Sequence, residues 1–154
     1  MFKNNITKIL SLSSIVFVLF VVDRLIKHFL IKTLSQGFFI GPNISIDPFI
    51  NKGIAFSIYL PFYFIVIITV VILVYLVFWL TKLIASQELA RPFWLMLLLV
   101  GGVSNFLDRL VYEGVVDYLS IWIFPVFNLA DVYISLAVIA ILFLSFKKSK
   151  IPQI

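Results

Sequence analysis

Five acidic side chains in this 154-residue chain fall inside or beside strongly apolar stretches: Asp23, Asp108, Glu113, Asp117 and Asp131. An ionised carboxylate in hydrocarbon costs roughly 3 kcal/mol or more, so each needs a partner, a proton or a function. Two carboxylates a few ångströms apart cannot both ionise easily, and they share one proton. One can then take a proton from water while the other gives one to a carbonyl oxygen. That is aspartic-protease chemistry, and it needs neither a metal nor a thiol. The chain has no cysteine, and His28 is its single histidine. Disulfides, thiolate metal sites and Cys nucleophiles are therefore excluded. One histidine without cysteine argues against a transition-metal site, and a Ser-His-Asp triad would have only His28 to use. Neither a cofactor nor a metal is expected.

Asp131 is the hardest of the five to explain as packing. It lies in "VFNLADVYISL", which begins at Val126, and has no basic residue within four positions. The apolar run after it has none before Lys147. Another element must balance its charge, or it is protonated. Other polar residues fall on common helical faces. Gly101, Asn105, Asp108 and Arg109 share one face, and Asn128, Asp131 and Ser135 share another. Asp23 and Lys27 are i, i+4 neighbours. Plainer readings compete for several of these. Asp23 and Lys27 could form only an intrahelical ion pair, with the lysine snorkelling outward. Asp108 and Arg109 could be a charged helix end. Gly101-Gly102 reads first as a close-packing site. His28 reads as an interfacial side chain, and Glu113 before Gly114 as a solvated turn residue. Composition and spacing do not choose a pair among the five acids.

The elements that must position these residues are set by hydropathy. The chain is 63% hydrophobic, 17% aromatic and 12% charged, whereas a soluble domain is about a quarter charged. Four stretches are long and apolar enough to cross a bilayer: about 9–31, 61–84, 92–112 and 126–146. Lys3 and Lys8 before an apolar run would also suit a cleaved signal peptide. No small-x-small site follows Val22, however, so a retained helix is expected. The expected fold is an all-α membrane protein, with four transmembrane helices and a small β-rich outer lobe over about 32–60. Residues 1–154 are expected to form one membrane-embedded domain. The lobe assignment rests on the turn signals "GPN", "DP" and "NKG" and on the alternation of "NISID". The stretch 86–90 reads as a short inner loop, and "EGVVDYLSIWIFP" as a short outer one.

Basic residues orient the spans. Lys3, Lys8, Lys82, Arg91, Lys147, Lys148 and Lys150 fall on one side, and Lys32 and Lys52 on the other. Both termini are therefore expected in the cytoplasm. Spans one and three then run outward, and two and four inward. At the helical rise, Asp23 lies about 12 Å below the outer end of span one. Asn105, Asp108 and Arg109 end span three, while Asn128 and Asp131 fall in the first two turns of span four. The ionisable groups converge on one level in the outer leaflet, and their faces should point into the bundle.

The motifs then resemble a known family. "DRLIK" from Asp23, "NKGIAFSI" from Asn51, "GGVSNFLDRL" through "GVVDY" from Gly101, and "FNLAD" from Phe127 resemble, in that order, the blocks of lipoprotein signal peptidases. These are the type II signal peptidases of the bacterial cytoplasmic membrane. The resemblance implies an aspartyl endopeptidase that cuts before a lipid-modified cysteine. It implies Asp117 and Asp131 as the dyad, with Asn105, Arg109 and Asn128 lining the site. Asp23, Lys27 and Asp108 would support the active-site layer, and Asn51 and Gly53 match the outer cradle. It also implies diacylglyceryl-modified prolipoprotein substrates, membrane lipids as surroundings and globomycin-type inhibitors. A monomer is expected, and no nucleic-acid partner. Arg24, Ile54 and Ser104 depart from the residues usual in the family, which are Gln, Ala and Gly. The segment from Asp117 to Asn128 looks short. These departures touch substrate preference and inhibitor affinity rather than the reaction.

Three other readings compete with this one. A small proton-coupled transporter or channel subunit would need acids at several depths, and the inner halves of the spans lack them. A serine–lysine peptidase would use Lys27 with Ser57 or Ser104, but no motif places those serines. A catalytically silent homologue would keep the fold but not the dyad chemistry.

Overall fold

The computed structural model describes residues 2–34, 37–54, 58–85 and 90–149, with side chains for 7–34, 37–54, 58–85 and 91–146. Four long helices account for most of the chain: α1 (Phe2–Thr33), α2 (Phe62–Ala85), α3 (Ala90–Tyr112) and α4 (Leu129–Ser149). Each contains a stretch long and apolar enough to span a bilayer: Thr7–Thr33, Phe62–Ala85, Arg91–Tyr112 and Leu129–Phe146. The chain is a multi-pass membrane protein. The expected inner loop at 86–90 lies almost wholly outside the described residues.

Local chemistry sets the helix ends. The carbonyl of Pro61 accepts hydrogen bonds from the backbone N–H groups of Phe64 and Ile65, so α2 starts immediately after a proline. Pro92 sits in the first turn of α3, where its missing N–H breaks no bond. At the other end of α3, Glu113 adopts a left-handed φ of 55°, while its N–H bonds to the Arg109 carbonyl at 3.0 Å. That conformation costs a non-glycine residue about 1 kcal/mol. It ends the helix and turns the chain at Gly114, where a Cβ would lie 2.5 Å from Ile50 Cγ2 and 2.8 Å from the Asn51 carbonyl oxygen.

Three strands form an antiparallel sheet in the order β1 (Phe38–Gly41), β2 (Ile44–Asn51), β3 (Val115–Ile121). The β-rich lobe is thus present, but its third strand comes from the segment between α3 and α4, whose sequence reads as a short outer loop. The pairs Phe49↔Asp117, Ile50↔Val116 and Asn51↔Val115 fix the β2–β3 register. The register shifts between Ile46 and Phe49, where Pro48 cannot donate to a ladder. The sheet sits at the end of the bundle where α1 and α3 finish and α2 and α4 begin.

α3 is the hub, packing on α1, α2, α4 and β3. A Cβ on Gly101 would fall 2.7 Å from the Ala130 carbonyl oxygen, and one on Gly102 would fall 3.1 Å from Leu73 Cδ2. The glycine pair is the close-packing site its sequence suggested, letting α4 and α2 approach α3 from different sides. Far from the sheet the bundle is apolar, with Leu76, Leu95 and Ile141 packed among Trp79, Trp94 and Leu98. α2 buries only Ile65 and Leu76; its other large apolar side chains largely point outward, as expected of a helix solvated by lipid.

Candidate active site

Near the sheet the same bundle buries Asp23, Lys27, Ser104, Asn105, Asp108, Asp117 and Asn128. Among the described residues no buried side-chain nitrogen or oxygen lacks a hydrogen-bond partner. The polar groups form two linked clusters.

One cluster is an ion network between α1 and α3, in which Asp23, Lys27 and Asp108 are buried and the Arg24 side chain is 24% exposed. Lys27 Nζ lies 2.7 Å from Asp108 Oδ2 and 3.4 Å from Asp23 Oδ2, and donates to Asn105 Oδ1 at 2.8 Å. Arg24 Nη1 meets Asp108 Oδ1 at 2.5 Å. It also donates to Ser104, at the carbonyl oxygen (3.1 Å) and at Oγ (3.2 Å). The Ser104 hydroxyl donates to Asp23 Oδ2. Lys27 is 1% exposed, so the reading of this lysine as snorkelling out of a local ion pair is corrected. Its ammonium has three acceptors inside the bundle. Asp108 is likewise no mere helix end, because it is fully buried.

The second cluster surrounds Asp117 and Asp131. Asp117 is on β3, at the position paired with Phe49. Asp131 is in the first turn of α4, which begins at Leu129 rather than at Val126. Asn128 therefore precedes the helix instead of lying within it, and caps it. Asn128 Oδ1 accepts from the Asp131 N–H at 3.0 Å, and Asp131 Oδ2 accepts from the Asn128 N–H at 3.1 Å. This is a reciprocal capping box, and it answers why an acid starts a membrane helix: Asp131 satisfies an otherwise orphaned donor. The Asn128 amide also donates to Asp117 Oδ1 at 2.7 Å, so one asparagine holds both acids. Asn51 Nδ2 donates to Asp117 Oδ2 at 2.8 Å, and Asn51 is itself fixed by the Gly53 N–H at 2.9 Å. Asn105 Nδ2 donates to Asp131 Oδ1 at 2.7 Å, joining this cluster to Lys27.

Among the described residues no cation lies within ion-pair distance of Asp117 or Asp131. Burial, opposed by the Asn51 hydrogen bond, pushes the Asp117 carboxyl up from the usual 3.8 to about 6, and the neighbouring Asp131 charge adds to the rise. Both acids line a cavity of about 570 Å³. Asn51, Gly53, Asn105 and Arg109 share its wall with Ile54 and with apolar groups from Phe124–Phe127 and α4. Asp23, Lys27, Asp108 and Asn128 stand behind this wall. Arg109 Nη1 donates to the Asn105 carbonyl at 3.3 Å, within electrostatic reach of Asp131, Asp117 and Asp108.

No group of His, Cys, Asp and Glu side chains among the described residues is arranged to hold a metal. Lys27 is committed to two carboxylates, and the Ser104 hydroxyl donates to Asp23, so neither is free for a serine–lysine mechanism. Ser57 lies outside the described residues. His28 and Glu113 are exposed, as expected of an interfacial side chain and a turn. Two residues absent from the expected site, Arg24 and Ser104, are wired into its foundation. Tyr118 was also missed: its hydroxyl accepts from the Leu129 N–H at 3.2 Å and holds the start of α4.

The family model for signal peptidase II matches residues 15–147. The chain belongs to that family. It is an aspartic peptidase of the signal peptidase II type. Relatives named lipoprotein signal peptidase include one from Bartonella bacilliformis, 34% identical over 79% of this chain and 78% of its own length. Another, from Bartonella tribocorum, is 32% identical over 79% of this chain and 77% of its own. A solved bacterial membrane enzyme superposes with a TM-score of 0.81 at 27% identity, covering 91% of this chain and 90% of that one. A second gives 0.77, also at 27% identity, covering 89% and 93%. The family removes signal peptides from lipoprotein precursors, and the four apolar helices with their small sheet are the shared scaffold.

Proposed function

We propose that Asp117 and Asp131 are the catalytic dyad, and that the enzyme cuts diacylglyceryl-modified prolipoproteins just before the lipidated cysteine. The observation that carries this reading is the pair of aspartates on a cavity wall, tied to one asparagine and, among the described residues, with no cation bonded to either. With one proton between them, the ionised member draws a proton from water as that water attacks the scissile carbonyl. The protonated member donates to the carbonyl oxygen, and a proton then goes to the departing amine. Asn105, Asn128 and Asn51 hold the acids in place, while Arg109 on the cavity wall is poised to bind substrate backbone or the developing negative charge. Asp23, Lys27 and Asp108 support this layer from behind, and Gly53 anchors Asn51.

The cavity extends along α4 to Ser135 and Leu136, which are exposed on the side of the bundle. A signal helix lying in the bilayer could therefore present its cleavage site sideways. The reading includes one membrane-embedded domain over residues 1–154, acting as a monomer. Both termini face the cytoplasm, with the dyad near the outer leaflet of the bacterial cytoplasmic membrane. Globomycin-type inhibitors would occupy the same cavity. The test is a gel-shift assay with a diacylglyceryl-modified prolipoprotein, run with and without globomycin and beside Asp117→Asn and Asp131→Asn. Cleavage by the parent protein that globomycin blocks, and that either variant lacks while still folded, is the expected result. Undiminished cleavage by folded Asp131→Asn would overturn the dyad.

A further inference from the structure

Arg24 touches neither the cavity nor the dyad, yet it makes three polar contacts in the buried layer. We propose that Arg24 is a positioning residue that completes a charge-neutral buried layer in which the dyad holds a single proton. This rests on the dyad reading above and adds a role to a residue outside it.

The geometric part follows from what the two buried acids hold. Asp108 Oδ2 accepts the Val116 N–H at 3.2 Å, which fixes β3 one residue before Asp117. Asp23 Oδ1 accepts the Ala130 N–H at 3.0 Å, which fixes α4 one residue before Asp131. The network thus grips the backbone beside each member of the dyad. Arg24 connects the two grips, meeting Asp108 directly and reaching Asp23 through the Ser104 hydroxyl. Without it, Lys27 alone must serve both carboxylates. Any shift of Lys27 toward Asp108 loosens its bond to Asn105, and Asn105 is what holds Asp131 Oδ1.

The charges that face the dyad come from four elements. α1 supplies Asp23, Arg24 and Lys27; α3 supplies Asp108 and Arg109; β3 and α4 supply the dyad itself. Tyr118 and Tyr133 are phenols and add no charge. The charged residues in or next to β2, Asp47 and Lys52, are exposed, and α2 carries only Lys82, near its far end. Asp23 and Asp108 bring one negative charge each, and a dyad with one proton brings a third. Arg24, Lys27 and Arg109 bring three positive charges. The layer is neutral in the protonation state the reaction needs. In a low-dielectric interior that neutrality favours this state over those with one proton more or fewer.

The test compares the pH dependence of kcat/KM for prolipoprotein cleavage in four proteins: the parent, Arg24→Gln, Asp108→Asn and the double variant. Removing a positive charge raises the proton affinity of the dyad, so Arg24→Gln should move both limbs to higher pH by roughly half a unit. Asp108→Asn should move them to lower pH. The double variant restores the charge count, so its limbs should return to the parent positions. Its kcat should stay close to the parent's, because the amide oxygen introduced by Asp108→Asn can still accept the Val116 N–H. The comparison of Asp108→Asn with the double variant stands even if Arg24→Gln alone does not fold. Arg24→Lys, which keeps the charge, should keep the parent limbs. Superimposed profiles across the set, or a double variant that stays with Asp108→Asn, would overturn the proposal. A folded Asp131→Asn that still cleaves would instead strike at the dyad reading, leaving the roles of the two failures distinct.

Discussion

Asp23 and Asp108 are buried with Lys27 and Ser104 in an ion network that Arg24 completes, while Asp117 and Asp131 stand a few bonds away against a cavity, held only by amide and backbone donors. All four are aspartates in the same layer of the same bundle. The difference lies in what neutralises them. Asp108 is paired with Arg24 and Lys27 and Asp23 with Lys27, and neither lines the cavity, so neither has an open side toward a substrate. A carboxylate held by asparagines keeps its place but remains able to titrate. The first pair builds the platform, and the second is left available for chemistry.

The contrast can be broken in four ways, taken here from the largest effect down. Asp117→Asn or Asp131→Asn should lower turnover by about 10⁴-fold while leaving helicity at the parent level and the unfolding midpoint in detergent no lower than the parent's. A similar loss in a well-folded Asp23→Asn would erase the distinction between the pairs. Lys27→Met should have the opposite signature. It strips the shared cation from two buried acids, and should cost about 3–5 kcal/mol of stability, read as a large fall in the thermal midpoint. A Lys27→Met protein as stable as the parent would mean the network is not the platform.

The third way uses pH. The Asp117 carboxyl is raised from 3.8 to about 6 in the folded protein, so the neutral form is favoured by folding. Its stabilising contribution is complete below about pH 4 and is lost as pH rises through about 6. Asp117→Asn carries no such charge. Its thermal midpoint should therefore gain on the parent between pH 4 and pH 8, with a pH-dependent part on the order of 2 kcal/mol. A difference that stays flat with pH would place Asp117 with the ion-paired group. The smallest effect should come from Asn51→Ala, which removes one of the two amide donors on Asp117 and should slow cleavage by roughly 10-fold, about the worth of one such bond. Unchanged kinetics would show that Asn128 alone positions this acid.

Much of this arrangement was legible before any coordinates. Hydropathy located the four spans to within a few residues, apart from a longer α1 and a later start of α4. The i, i+4 spacing put Asn105, Asp108 and Arg109 on one face, and Gly101-Gly102 announced a close approach. The third strand was missed, although "VVDYLSI" is rich in β-branched and aromatic residues, because a strand that pairs with a partner some 70 residues earlier leaves only that faint local trace. Arg24 and Ser104 were visible only as departures from a family pattern. Nothing in either neighbourhood shows that they meet each other, since 80 residues separate them.

By itself, the sequence determined that this is a membrane protein with its ionisable groups gathered at one depth, because both properties depend on local hydropathy and on the fixed rise of a helix. By having no cysteine and a single histidine it also removed thiol nucleophiles and thiolate metal sites. Only the tertiary structure decided which acids are neutralised and which face the cavity. That outcome depends on donors such as Lys27 to Asn105, 78 residues apart, and Ala130 to Asp23, 107 apart. The four buried or half-buried aspartates become different when folding assigns each its own neighbours, most of them from other elements of the fold.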